Sequence, residues 1–205
     1  MMKIKKLNDF NFKGKIAIIR VDFNVPLDKN LRITDSTRID LGIKSIEHVI
    51  SNGGKCIIIS HLGRPKGNGY EKRFSLENIT YYLSNVLKKK ISVLKNYLDD
   101  KFDIKKHLNY SDLLLLENLR FYSEEKRNDD KFSKKLASFG DIYVNNAFGT
   151  CHRKHSSTYG IIKYIDNHCI GDLVENELIN IDRILYQKIK PFTAILGGSK
   201  VSDKI

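Results

Sequence analysis

Cysteine, proline and long apolar runs are all scarce in this sequence. The three cysteines, Cys56, Cys151 and Cys169, are odd in number and far apart, which argues against a disulfide framework and favours a reducing compartment. No stretch approaches the length of a membrane span, and residues 1–6 are not followed by the apolar segment of a secretion signal. We therefore expect a soluble, cytoplasmic protein with no membrane partner.

Only three prolines occur, and proline and glycine concentrate in one loop, residues 61–69. The sequence contains no internal repeat, no low-complexity tract and no flexible linker before Ile170. A length of 205 residues is enough for one large domain, or for one domain and the beginning of another.

Acidic residues are outnumbered, because 36 Lys and Arg stand against 24 Asp and Glu, and the formal net charge is +12. Such an excess commonly indicates an anionic partner such as nucleic acid. The surplus is mostly lysine, scattered as on solvated faces over segments such as 5–6, 88–90 and 134–135. Charge alone lacks the aromatic platform or groove-reading helix that recognition requires, so we disfavour a nucleic-acid partner.

What the sequence does contain is a repeated strand pattern, in which five apolar runs each stop at a short polar motif. Helical patterns lie between and after them, and this alternation predicts an α/β fold, a Rossmann-like parallel sheet flanked by helices in a three-layer sandwich. Ligands of such sheets bind outside the carboxyl ends of the strands, so one site built by several loops is expected. The predicted strands are residues 16–21, 56–60, 113–116, 142–144 and 192–196, and the predicted helices are about 36–50, 75–87, 129–139 and 173–188.

Basic side chains gather at or near the predicted strand ends. Arginine binds phosphate and carboxylate oxygens through parallel N–H groups, which suits a small, dense dianion better than a nucleic acid. The histidine among them either binds the ligand or caps a backbone carbonyl, and its protonation state is open at this point. The residues are Arg38, His61, Arg64, Arg120 and Arg153.

Two further polar residues, Asp22 and Asn24, follow the first predicted strand. A carboxylate and an amide at this position can orient the hydroxyl of a small acid or fix an arginine. We therefore interpret both as residues that position a ligand.

Near the end of the sequence, a predicted strand at residues 191–196 runs into Gly197 and Gly198 and then into the first turn of a helix. Backbone N–H groups and the positive end of a helix dipole bind phosphate in such an arrangement. Lys200 and Lys204 add positive charge on either side.

A cluster of Cys151, His152 and His155 lies in the loop after the fourth strand. Three ligand types so close together lack the second pair that closes a tetrahedral structural site. We therefore expect no metal site there.

Five motifs, in this order, resemble those of the phosphoglycerate kinase family over essentially all 205 residues. One short motif could arise by chance, but five ordered motifs leave little room for coincidence. They are RVDFNVP at 20–26, SHLGRPKG at 60–67, LLENLRF at 115–121, AFGT at 147–150 followed by His152, Arg153 and His155, and GGSKVSDK at 197–204.

The resemblance implies a glycolytic transferase that moves a phosphoryl group reversibly from 1,3-bisphosphoglycerate to ADP, giving 3-phosphoglycerate and ATP. It implies Mg²⁺ with the bound ATP or ADP, no nucleic acid, and a monomer. It also implies residues 1–170 as a phosphoglycerate-binding domain, 171–190 as an inter-domain helix, and 191–205 as the beginning of a nucleotide-binding domain whose remainder is absent.

The resemblance assigns roles to individual residues. Arg38 and Lys200 are implied as catalytic, and Arg38 as the group that stabilises the transferring phosphoryl. Gly197, Gly198, Lys200 and Lys204 are implied to bind the nucleotide. The residues implied to bind substrate are Asp22, Phe23, Asn24, Arg38, His61, Leu62, Gly63, Arg64, Arg120 and Arg153.

Alternatives remain at this point. Arg38 could merely pair with a carboxylate such as Asp35. Asn146 stands where the family usually carries Asp, and the loss of that carboxylate is expected to weaken whatever it anchors. Because the nucleotide domain is incomplete, we expect the isolated chain to have little or no activity, and an inactive phosphoglycerate-binding remnant or a basic nucleic-acid-binding module stay as alternatives.

Overall fold

Six parallel strands form the single sheet of the computed structural model, which describes residues 4–99, 102–186, 191, 193 and 195. The strand order is β3-β4-β2-β1-β5-β6. The strands are β1 (Ile16–Val21), β2 (Lys55–Ile59), β3 (Ser92–Leu94), β4 (Leu113–Leu116), β5 (Ile142–Asn146) and β6 (His168–Ile170).

Helices connect the strands, as parallel pairing requires. Short 3-10 turns and one π turn, Ser156–Gly160, complete the connections. The helices are α1 (Thr37–Ser51), α2 (Glu77–Leu87), α3 (Ile104–Leu108), α4 (Ser123–Arg127), α5 (Asp130–Ala137) and α6 (Asp172–Tyr186).

Two apolar cores cover the two faces of the sheet. Alternate residues of β1 point to opposite faces, so Ala17 and Ile19 join one core and Ile18 joins the other. The first core includes buried residues of α1 and α2, and the second includes those of α3 and α5. The predicted three-layer α/β sandwich is therefore confirmed. Burial on both faces explains why the strands read as continuous apolar runs.

Four of the five predicted strands are present, with ends that differ by at most two residues. The fifth, at 192–196, lies largely outside the described residues. Strands β3 and β6 have three residues each and were not predicted, because so short a run carries no readable periodicity. The five-residue helices α3 and α4 were missed for the same reason.

Polar side chains at the predicted positions accept hydrogen bonds from free N–H groups where helices begin. Asp129 accepts from the backbone of Phe132 at 2.9 Å, and Ser75 Oγ accepts from the backbone of Glu77 at 3.1 Å. At α1, Asp35 accepts from the backbone of Thr37 at 2.9 Å. These contacts satisfy N–H groups that have no partner inside the helix. None of the helices described is both long and apolar enough to cross a membrane.

Candidate functional site

The site lies at the carboxyl ends of β4, β2, β1 and β5, which are neighbours in the sheet. Parallel strands all end at the same edge, so the loops that follow them converge there. Asp22 follows β1, His61 follows β2, Arg120 follows β4 and Arg153 follows β5. The fold therefore brings together residues from four of the five motifs, those that follow β1, β2, β4 and β5.

Arg38, near the start of α1, pairs with Asp22 rather than with Asp35. Nη1 of Arg38 lies 2.8 Å from Oδ2 of Asp22, and the side chains are 54% and 14% exposed. Asp22 therefore holds Arg38 at the site while much of the guanidinium group still faces solvent. The proposed alternative, a surface pair with Asp35, is not the arrangement seen here.

His61 is buried beside two groups of opposite charge. Its Nδ1 lies 3.0 Å from Nη2 of Arg20 and 3.9 Å from Oδ1 of Asp22. Burial, followed by the charges of Arg20, Arg120 and Arg153, holds the pKa of His61 far below its ordinary value. The ring is therefore neutral at neutral pH.

Arg120 lies in a 3-10 turn whose first residues are fixed by Asn118, which accepts from the Arg120 backbone at 3.0 Å. Its Nη1 donates to the carbonyl oxygen of Gly63 at 2.9 Å. Burial and the nearby charge of Arg153 lower the pKa of Arg120 to about 10, so the group stays charged at neutral pH. Gly63 has a φ of +63°, and a Cβ there would overlap the ring of Phe74, so only glycine fits.

The side chains of Arg64 and Arg153 are exposed, and within the described part of the chain they make no hydrogen bond or salt bridge. Arg153 still contributes to the potential of the site, because its charge lowers the pKa values of His61, Arg120 and His155. Both guanidinium groups are therefore available to an anion.

Three of the predicted substrate-binding residues have mainly structural side chains. Phe23 and Leu62 are buried in the core, so they can meet a ligand only through their backbone. Oδ1 of Asn24 accepts from the backbone of Gly63 at 2.7 Å, which ties the loop after β1 to the loop after β2.

Sequence reasoning missed three buried residues beneath the site, Arg20, Glu125 and Ser157. Nε of Arg20 donates to Oγ of Ser157 at 3.0 Å, and Ser157 donates to Glu125 through its hydroxyl at 2.6 Å and its backbone at 3.0 Å. Arg20 could have been found as the one charge within an apolar strand. Glu125 and Ser157 lie in a short helix and a π turn, and the sequence marks neither.

Of the three residues Cys151, His152 and His155, only His155 contacts a buried group of the site. His155 Nδ1 lies 3.8 Å from Oε1 of Glu125, and burial with the charges of Arg120 and other basic groups lowers the pKa of His155 to about 4. Within the described ranges, no group of three His, Cys, Asp or Glu side chains could hold a metal ion.

Asn146, which we expected to weaken its surroundings, is buried and bonded on both sides. Its Oδ1 accepts from the backbone of Leu173 at 2.9 Å, as a carboxylate could. Its Nδ2 donates to the carbonyl oxygen of Gly42 at 3.3 Å, as a carboxylate could not. The amide therefore keeps the anchor to the start of α6 and adds a contact to α1.

The residues predicted to bind nucleotide lie outside the described residues. They are Gly197, Gly198, Lys200 and Lys204.

A family model described as phosphoglycerate kinase matches residues 7–205 of this chain. The chain therefore belongs to the phosphoglycerate kinase family. This agrees with the resemblance of the five motifs and with the strand-end placement of the four that lie within the described residues.

Curated relatives in the phosphoglycerate kinase family match over the whole chain. The phosphoglycerate kinase of Chlorobium chlorochromatii is 47% identical over 205 residues, which are 100% of this chain and 51% of the relative. That of Pelodictyon phaeoclathratiforme is 44% identical with the same coverage. The chain thus spans about half the length of the curated relatives it matches.

Solved structures of the family share the fold. The phosphoglycerate kinase of Coxiella burnetii superposes with a TM-score of 0.85 at 34% identity, covering 98% of this chain and 50% of that one. The enzyme of Pyrococcus horikoshii superposes with a TM-score of 0.82 at 30% identity, covering 97% and 50%.

Proposed function

We propose that this chain supplies the acid-binding part of a phosphoglycerate kinase, a transferase of glycolysis. The reaction would transfer a phosphoryl group reversibly from 1,3-bisphosphoglycerate to ADP, giving 3-phosphoglycerate and ATP. The observation that carries the proposal is the convergence of arginines at one sheet edge, where they outnumber the buried or partly buried carboxylates Asp22, Glu117 and Glu125. The arginines are Arg20, Arg38, Arg64, Arg120 and Arg153.

The geometry supports separate roles for the arginines. Arg64 and Arg153 have free guanidinium groups that can bind the phosphate and carboxylate oxygens of the acid. Arg38 is tethered to Asp22 by one nitrogen, which leaves other N–H groups to follow charge spread over the transferring phosphoryl. Neutral His61 can add a hydrogen bond without adding charge.

The nucleotide part of the proposal rests on the family and the sequence motif. Gly197, Gly198, Lys200 and Lys204 would bind ATP or ADP with Mg²⁺, which neutralises phosphate charge when bound. Lys200 would be catalytic together with Arg38. The proposal includes residues 1–170 as the acid-binding domain, 171–190 as an inter-domain helix and 191–205 as the beginning of the nucleotide domain, in a cytoplasmic monomer.

Binding of the acid is tested by calorimetry with 3-phosphoglycerate on the folded 205-residue chain. Arg153→Ala should weaken binding about tenfold or more, because it removes a charge-assisted contact. Arg127→Ala removes an exposed arginine of α4 that pairs only weakly with Glu124, at 3.4 Å, and should leave binding unchanged. Equal affinity in all three proteins, or no heat change at millimolar ligand, would contradict the proposal.

The catalytic part is tested in the natural protein that contains these residues, by ATP-dependent phosphorylation of 3-phosphoglycerate. Arg38→Lys keeps one positive charge but loses the planar group that can track the equatorial oxygens. We expect turnover to fall by about a hundredfold or more while affinity for the acid changes little. Undiminished turnover would remove Arg38 from the catalytic role.

A further inference from the structure

The contact between Arg20 and His61 has a direction that chemistry fixes. Nη2 of Arg20 lies 3.0 Å from Nδ1 of His61. A guanidinium group has only donors, so this contact is a hydrogen bond only when Nδ1 offers its lone pair. The ring proton is then on Nε2. Protonation of Nδ1 would set one N–H group against another, so the contact also requires a neutral ring.

Nε2 is the ring nitrogen of His61 that Arg20 does not contact, in a residue that is only 3% exposed as a whole. It makes no hydrogen bond within the described part of the chain, where Asn128 Oδ1 is the one side-chain atom that is both buried and unpartnered. An Nε2–H group is therefore free to donate to a ligand at the site.

Two buried residues hold the Arg20 guanidinium in turn. Its Nε donates to Oγ of Ser157 at 3.0 Å. Because the carboxylate of Glu125 can only accept, the Ser157 hydroxyl points its proton at Oε1, 2.6 Å away. The Ser157 oxygen lone pair is thereby left for Arg20. Glu125 is only 1% exposed, so no water competes freely for these contacts.

We propose that Glu125 is a positioning residue of the site: through Ser157 it fixes Arg20, and through Arg20 it holds His61 as a neutral ring whose Nε2–H donates to the bound acid. Glu125 does not contact His61 itself; apart from Ser157, the site group beside it is His155, whose Nδ1 lies 3.8 Å from Oε1. The proposal rests on the proposed function only for the identity of the acid, because the hydrogen-bond chain exists without it.

The surroundings of His61 explain why its tautomer has to be fixed by a hydrogen-bond donor. The charges of Arg20, Arg120 and Arg153 act on the buried ring, as does His155. The nearest carboxylate is Asp22. A neutral imidazole has two tautomers of similar energy, and only one of them presents a donor at Nε2. A fixed donor on the Nδ1 side selects that tautomer before any ligand arrives.

The test is nitrogen-15 NMR of the histidine rings in the ligand-free chain, because the shifts of Nδ1 and Nε2 identify tautomer and protonation. In the unaltered chain, we expect His61 as a single Nε2–H tautomer that stays neutral down to about pH 5. Glu125→Gln should yield a tautomer mixture or a ring that titrates at higher pH, since the amide would donate to Ser157 and take the lone pair used by Arg20. An Nδ1–H ring in the unaltered chain would overturn the proposal without any variant.

Two comparisons separate positioning from general loss of structure. Glu124→Gln makes the same change at the adjacent, partly exposed carboxylate of α4 and should leave the His61 spectrum unchanged. Ser157→Ala removes only the hydroxyl link and should reproduce the effect of Glu125→Gln. If both Glu125→Gln and Ser157→Ala fold and keep the original His61 tautomer, Glu125 does not position it.

Ligand binding gives a second, separate measurement. With 3-phosphoglycerate as the probe, Glu125→Gln should weaken affinity about tenfold, and Glu124→Gln should not. If the unaltered chain does not bind this acid but the tautomer still depends on Glu125, the proposed function fails and the positioning role stands. If the acid binds equally to both variants, the positioning role fails and the proposed function stands.

Discussion

The arginines of the site differ in how they are held. Arg20 and Arg120 are buried and donate to protein acceptors, whereas Arg64 and Arg153 are exposed. A buried charge that loses its partners costs several kcal/mol, whereas an exposed one contributes little to stability. Changes at the first pair should therefore affect folding and binding together, and changes at the second pair should affect binding alone.

Gly63 combines a left-handed backbone with a close contact, and we expect Gly63→Ala to lower the free energy of unfolding by about 3 kcal/mol. About 1–2 kcal/mol comes from the positive φ, and the rest comes from overlap with Phe74. The carbonyl that holds Arg120 would shift, so affinity for 3-phosphoglycerate should fall as well. Denaturant unfolding and calorimetry measure the two effects.

Gly14→Ala is the matched control. Gly14 has a φ of +70°, and no atom lies within 4 Å of a Cβ placed there. Gly14→Ala should cost only the about 1–2 kcal/mol of the positive φ, with no effect on binding. Equal losses of stability at the two glycines would show that the overlap with Phe74 is relieved at no cost.

The depressed histidine pKa values make stability depend on pH. The pKa of His155 is lowered to about 4 in the fold, against about 6.5 when unfolded. Protons therefore bind the unfolded chain first, and stability is lost as pH falls from about 6.5 towards 4. The lowered pKa of His61 also makes stability fall as pH falls. Burial raises the pKa of Glu125, which makes the fold relatively more stable as pH falls.

His155→Gln should make the loss of stability between about pH 6.5 and pH 5 smaller by on the order of 1 kcal/mol, after allowance for solvent screening. Thermal unfolding at several pH values measures it. His152→Gln, at an exposed histidine of the same loop, is the comparison variant. If the stability of the two variants depends on pH in the same way, the pKa of His155 is not lowered in the folded state.

At the scale of elements, Asn146 joins three of them. It ends β5, accepts from the backbone at the start of α6 and donates to α1. Gly171, just before α6, packs so close to the Asn146 side chain that a Cβ would overlap it. This buried amide therefore helps to position α6 on the sheet, together with the hydrogen bonds between Ser45 and Asp172.

Asn146→Ala should lower the free energy of unfolding by about 2 kcal/mol, because it removes both hydrogen bonds of a buried amide and leaves the backbone N–H of Leu173 without this partner. Urea denaturation provides the measurement. The control is Asn30→Ala, which should change the free energy of unfolding by less than about 0.5 kcal/mol. Asn30 is exposed, and its side chain makes no hydrogen bond within the described residues. A neutral Asn146→Ala would mean that water replaces both contacts.

At the scale of the whole molecule, the net charge of +12 predicts some attraction to any polyanion. Duplex DNA should bind weakly and lose affinity by about a hundredfold or more between about 50 and 200 mM salt, because counterions are released. The affinity for 3-phosphoglycerate should change by less than about tenfold over that range, since its contacts are few and local. Fluorescence anisotropy and calorimetry compare the two.

The opposite pattern would favour the nucleic-acid alternative. DNA that stays bound at about 200 mM salt and excludes 3-phosphoglycerate would identify the basic edge as a nucleic-acid surface. A neutral polysaccharide serves as the control for non-specific adsorption, because it is uncharged and releases no counterions on binding.

The α/β layers, four of the strands and most residues at the sheet edge could be predicted from the amino-acid sequence alone. Apolar runs of four or more residues have a readable period, and loop arginines after such runs can be placed without knowing any contact. The family, too, was evident from five ordered motifs.

The contacts that hold those residues could not be predicted without the three-dimensional structure. Asp22 rather than Asp35 pairs with Arg38, and the amide of Asn146 finds a second partner in Gly42. The buried link from Glu125 to His61 joins residues far apart in sequence. Hydrogen bonds of this kind depend on the distance and direction of two atoms brought together by the packing of several elements, and no local pattern encodes them.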